Sequence, residues 1–174
     1  YATGYIGKWH LGGKGYLPTD QGFDENFGGW DYGQPPSYFD PYTNKRLPAG
    51  IPTLKPRKEG EYLTDREADE AVGFINRNKG KPFLLYLSHY TVHTPIQAKQ
   101  SITEKYIPLK DGKGQDNAVY ASMLESLDDS MGRLLEALEE HDLSDNTVII
   151  FTGDNGGLDR NDNPTDNACT ECRR

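Results

Sequence analysis

Apolar residues gather in a few short segments, with long polar, Gly- and Pro-rich stretches between them. Ala2 to Trp9 predicts a short strand running into a glycine turn. Pro82 to Ser88 is a continuous apolar run, as in a parallel-sheet strand buried on both faces. Thr147 to Thr152 is a second such run, β-branched and aromatic. Between these runs lie two helical patterns. Ala68, Ala71, Val72 and Ile75 share one helical face. Thr64 with Glu67 three positions on predicts an N-terminal capping box for that helix, which stops at Asn78-Lys79-Gly80. From about Asn117 to His141, Tyr120, Met123, Leu124, Leu127, Met131, Leu134, Leu135 and Leu138 recur at spacings of three and four. Leu17 to Tyr42, Leu47 to Gly60 and Val92 to Asp116 predict loops, the second interrupted by Pro48, Pro52 and Pro56. The order strand, loops, helix, strand, helix, strand predicts an α/β architecture with a largely parallel sheet flanked by helices.

Composition narrows the function classes. The chain has 174 residues, 34% of them hydrophobic, and a formal net charge of -8. An acidic chain of this kind argues against a general nucleic-acid or anionic-membrane surface. An anionic substrate would need a local positive site. No apolar run approaches membrane-spanning length, and the chain opens on Tyr1 without a charged-then-apolar leader. Cys169 and Cys172 are the only cysteines, one CxxC pair where a zinc site needs about four ligands.

Each predicted strand is followed at once by residues able to do chemistry. Lys8 and His10 follow the first, His89 and His93 the second, Asp154 and Asn155 the third. In open α/β sheets ligands bind beyond the carboxyl ends of the strands, so parallel strands would bring these groups to one edge. Lys8 and His10, two apart, would share a face if the strand continued through them. His93 precedes Thr94-Pro95, a stiff extended pair, from which an imidazole could serve an oxyanion or a leaving group. Asp154 and Asn155 offer oxygens suited to calcium or magnesium. Each also has a plain structural reading: a solvated lysine, a hydrogen-bonded histidine, an Asx turn closing a strand. Asp128 and Asp129 are adjacent on a helix and predict a solvated face. His141 sits where a helix C-terminus favours a cation.

Taken together the motifs resemble those of the formylglycine-dependent sulfatases, of the alkaline-phosphatase-like superfamily. The matching stretches include Gly4 to Gly12, Gln21 to Asp24, Pro36 to Phe39, Gly60 to Asp65, Pro82 to Pro95, Leu127 to Arg133 and Asn146 to Gly157. The resemblance implies a partial alkaline-phosphatase-like (sulfatase) fold over residues 1–168 and hydrolysis of sulfate esters, of aryl sulfates or sulfated carbohydrates. It gives Lys8 to the sulfate group, His10 to assistance of the nucleophile and contact with sulfate, and His93 to the sulfate and the leaving group. Asp154 and Asn155 become calcium ligands, with magnesium as the other hard cation. It also implies a periplasmic, secreted or lysosomal setting.

The departures matter as much. No CxPSR or CxPAR run, the source of the formylglycine nucleophile in the family, occurs in the chain. The two N-terminal Asp ligands and the Gly-Lys-Gly stretch expected after Asn167-Ala168 are missing, and residues 169–174 diverge. The expectation is an internal piece of a sulfatase without turnover of its own. The alternatives are a non-catalytic sulfate- or glycan-binding module and a phosphoester or phosphonate hydrolase of the same superfamily.

Overall fold

The computed structural model of the chain describes residues 1–109 and 117–156. Its centre is a three-stranded, all-parallel sheet of β1 (Ala2–Gly7), β2 (Glu25–Phe27) and β3 (Phe83–Ser88), in the order β2-β1-β3. β1 and β3 run in register from Ala2↔Phe83 to Gly7↔Ser88, so both end at the same level. Among the described residues three α-helices accompany the sheet: α1 (Leu63–Asn78), α2 (Gln100–Tyr106) and α3 (Ala118–Glu140).

Alternation along β1 explains the packing. Ala2, Gly4 and Ile6 point to the face covered by α1, where Ala68, Ala71, Phe74 and Ile75 are buried. Gly4 is required there, because a Cβ would lie 2.6 Å from the Phe74 ring. Leu134, Ala137 and Leu138 of α3 close the same core. On the opposite face Tyr5 is surrounded by aromatic rings, stacked on Tyr86 at 5.2 Å and edge-on to Trp9 and Phe23. A second core, built around Tyr38, Tyr42, Tyr62, Tyr90 and Met123, holds the long loops against α1 and α3.

Several expectations need correction. The run 147–152 joins no sheet among the described residues, and Val148 (88% exposed) and Ile150 (84%) face solvent. β3 is not buried on both faces, since Leu84 and Tyr86 are about half exposed, and among the described residues it is an edge strand. The predicted loops contain β2 and α2, both too short for a periodic signal. α1 starts at Leu63 with Tyr62 as its N-cap, so Thr64 and Glu67 make no capping box. Both side chains turn instead to the segment after β3, Thr64 to Thr91 and Glu67 to His89. The buried face of α3 is also rotated from the leucine pattern. Ser122, Ser126 and Ser130 lie inside while Leu124 and Leu135 stay exposed. Ser122 and Ser126 satisfy their hydroxyls on the carbonyls one turn back, which lets small residues line a tight helix contact.

Candidate functional site

The common level of the β1 and β3 ends sets the geometry of the edge. Gly7 closes β1 with φ 98°, a conformation that favours glycine; a Cβ there would lie 1.9 Å from the Ser88 carbonyl oxygen. This contact lets the Lys8 amide donate to Ser88 O at 2.7 Å, tying the residue after β1 to the last residue of β3. The Lys8 carbonyl accepts a hydrogen bond from Tyr5 Oη. Burial pushes the Tyr5 hydroxyl up to about 12, so it stays a donor at neutral pH.

His10 lies beyond the strand, and strand alternation no longer relates it to Lys8. Its φ of 55° turns the chain, and its amide donates to Trp30 O at 3.0 Å. Its exposed ring rests against Gly33, where a Cβ would come 2.7 Å from Cε1. The next residue, Gln34, accepts at Oε1 from Thr94 Oγ1 at 3.4 Å. Thr94 in turn is bonded to His93: Nδ1 lies 3.0 Å from the Thr94 carbonyl and 3.2 Å from its hydroxyl. The strap 30–34 therefore touches both the His10 segment and the His93 segment. Tyr38 secures the second of these, donating its buried hydroxyl to Tyr90 O at 2.7 Å and His93 O at 2.9 Å. Burial holds that hydroxyl far above the usual tyrosine range, so it acts only as a neutral donor.

The structure thus brings Lys8, His10 and His93 to one edge of the sheet, linked through Ser88 and the strap 30–34. Asp154 and Asn155 are exposed, on a segment that no strand pairing joins to the sheet among the described residues. Their oxygens have the right chemistry for calcium, but calcium takes about six to eight. Among the described residues no group of three or more His, Cys, Asp or Glu is arranged to hold a metal. These two residues by themselves do not make a calcium site. His89 points away from the edge into a buried contact with Glu67 and Ser130. Asp128 and Asp129 are exposed, as expected, and His141 caps α3 with Nε2 2.6 Å from Asn76 Oδ1. Cys169 and Cys172 lie outside the described residues.

Sequence reasoning missed Gly33, Tyr38, Glu67 and Ser130. The only trace of Glu67 was its capping-box spacing, and Ser130 broke the leucine pattern it sits within.

Comparison with known proteins places the chain. The sulfatase family profile matches residues 1–168. Human N-acetylgalactosamine-6-sulfatase is 34% identical over 173 residues, covering 90% of this chain and 30% of the relative. Human arylsulfatase G is 30% identical, covering 90% of this chain and 33% of the relative. The crystal structure of Ps i-CgsB in complex with k-i-k-neocarrahexaose is 33% identical with a TM-score of 0.64, over 84% of this chain and 35% of that one. The chain spans about a third of the length of these relatives. Among the described residues no helix is long and apolar enough to cross a membrane. A profile match running through all three strands, all three helices and the edge they build makes this chain a member of the sulfatase family, with its α/β, alkaline-phosphatase-like fold.

Proposed function

We infer that this chain supplies the sulfate-holding edge of a sulfuric ester hydrolase whose substrates are sulfated carbohydrates. One observation supports the reading: β1 and β3 end in register, and the segments that follow them carry Lys8, His10 and His93. In an acidic chain these segments offer one lysine charge and two imidazole N–H donors, groups that an anion requires. Lys8, whose backbone is tied to the end of β3, compensates the sulfate charge with its ammonium. His10 and His93 donate to sulfate oxygens, and His93, on the loop after β3, delivers a proton to the leaving oxygen. In the family, formylglycine supplies the nucleophile and calcium the countercharge. Asp154 and Asn155 would contribute two of the cation's oxygens. The sugar as substrate class follows from the relatives: one is named for a sulfated N-acetylgalactosamine, and one structure holds an oligosaccharide. The sulfatase match favours a sulfate ester over the phosphoester alternative. A periplasmic, secreted or lysosomal setting follows from the same family reading.

The chain has no CxPSR-type run, so the expected readout is binding without turnover. Isothermal titration with a 6-sulfated N-acetylgalactosamine should give measurable affinity that falls at least about tenfold in Lys8→Ala, the loss expected for one charge-assisted contact. Equal affinity in Lys8→Ala would remove the assignment of the sulfate to this rim. Steady hydrolysis of the ester by the purified chain would remove the need for a nucleophile outside it.

A further inference from the structure

Beneath the strand ends, three buried side chains form one hydrogen-bonded chain that the roles above leave unused. Glu67 is fully buried on α1, with Oε2 2.6 Å from His89 Nδ1. His89 Nε2 lies 2.9 Å from Ser130 Oγ on α3. α1, the segment after β3 and α3 therefore meet at one imidazole, itself almost wholly enclosed.

A serine, a histidine and an acid in this order have the connectivity of a nucleophilic triad. Ser130 is only 2% exposed, however, and no substrate can reach it. Charge compensation alone is also too small a role. A buried carboxylate does need a partner, and His89 by itself would meet that need. The arrangement goes further on both sides. The second Glu67 oxygen, Oε1, is buried without a hydrogen bond of ordinary geometry and lies under Gly7, where a Cβ would stand 3.3 Å from it. At the other end, Ser130 engages the remaining ring nitrogen, so the imidazole cannot rotate without breaking a buried bond. The carboxylate thus sits against the residue preceding Lys8, and the imidazole begins the segment that ends at His93.

We propose that His89 is a positioning residue: the Glu67–His89–Ser130 chain holds the segment 89–93 against α1 and α3, so that His93 presents its imidazole to the same rim as Lys8. His89 touches no substrate and acts through His93. The role deepens the sulfate reading and rests on it.

The test uses the full chain with 15N-labelled histidine and two variants, Ser130→Ala and Ser130→Thr. Imidazole resonances are followed by NMR, with and without inorganic sulfate, and folding is checked by thermal melting. Ser130→Ala should shift or split the His93 ring resonances and weaken sulfate binding about tenfold, the effect of one lost buried hydrogen bond. Ser130→Thr, which keeps the hydroxyl, should restore both. Unchanged His93 resonances in a folded Ser130→Ala of lower melting temperature would overturn the proposal, because a purely structural role predicts that result. Should Ser130→Ala not fold, His89→Gln, which keeps a donor and an acceptor, takes its place under the same two outcomes. If the wild-type chain binds no sulfate, the sulfate reading fails, while the His93 resonances of the variants still decide the positioning role.

Discussion

Residues 83–88 and 147–152 are both six-residue apolar runs with a hydroxyl residue at the end, Phe-Leu-Leu-Tyr-Leu-Ser against Thr-Val-Ile-Ile-Phe-Thr. The second has the higher strand propensity, with two β-branched isoleucines and a valine. Yet the first pairs with β1 over six residues, and the second pairs with no strand among the described residues. An apolar run records a capacity to form a strand. Whether it does so depends on a neighbour whose N–H and C=O groups can complete the ladder. β1 is that neighbour for β3, and it is itself anchored from outside the ladder. Asp24 accepts from the Thr3 amide at 2.8 Å and from the Thr3 hydroxyl at 3.0 Å. Gly4 admits Phe74 against β1, and Gly7 admits Ser88.

The largest effect is expected from removing apolar bulk in the paired sheet, at the strand that β3 needs as its neighbour. Ile6 of β1 is fully buried, and Ile6→Ala should cost about 2–5 kcal/mol, read as a drop in urea or thermal stability. A cost under about 1 kcal/mol would mean that the core beneath β1 is far looser than its burial implies.

The anchoring of β1 gives a smaller, pH-dependent effect. Hydrogen bonds from the Thr3 amide and hydroxyl hold the Asp24 carboxyl below its ordinary value. The folded state therefore binds this proton less readily than the unfolded chain. The stabilisation is fully present above about pH 4, the ordinary aspartate range, and is lost as the pH falls through the depressed folded value. Asp24→Asn should be less stable than wild type at neutral pH, with the gap closing in acid. Melting curves from neutral pH down to about 3 check this, and a gap independent of pH would refute the linkage.

The smallest effect is expected where the apolar run is unpaired. Ile150→Ala should change stability by no more than about 0.5 kcal/mol, as exposed positions do. A loss comparable to that of Ile6→Ala would show that the run 147–152 is packed in solution, and the contrast between the two regions would vanish.

Much of the fold was legible in the chain. Periodicity located α1 and α3 to within a residue or two, and composition marked two of the three strands in the sheet. β2 and α2 escaped because three and seven residues carry too little repeat to stand out. The site was legible in part, for a simple reason. Lys8 follows β1 directly, and His10 and His93 lie on the segments just beyond β1 and β3, positions that parallel strands carry toward one edge. Glu67, Ser130 and Gly33 act through contacts 22, 41 and 23 positions away in sequence. No local pattern announces contacts of that range.

By itself, then, the order of residues determined which segments were able to become helix or strand, and which residue types followed each strand, since both depend on chemistry within a few neighbours. Tertiary structure alone decided which apolar run found a partner among the described residues. It also turned Thr64 and Glu67 from helix-capping residues into anchors for the segment after β3, and buried three serines of α3 in place of two of its leucines. Those choices turn on side chains and backbone ladders meeting across distant parts of the chain, where burial and hydrogen-bond satisfaction outweigh local preference.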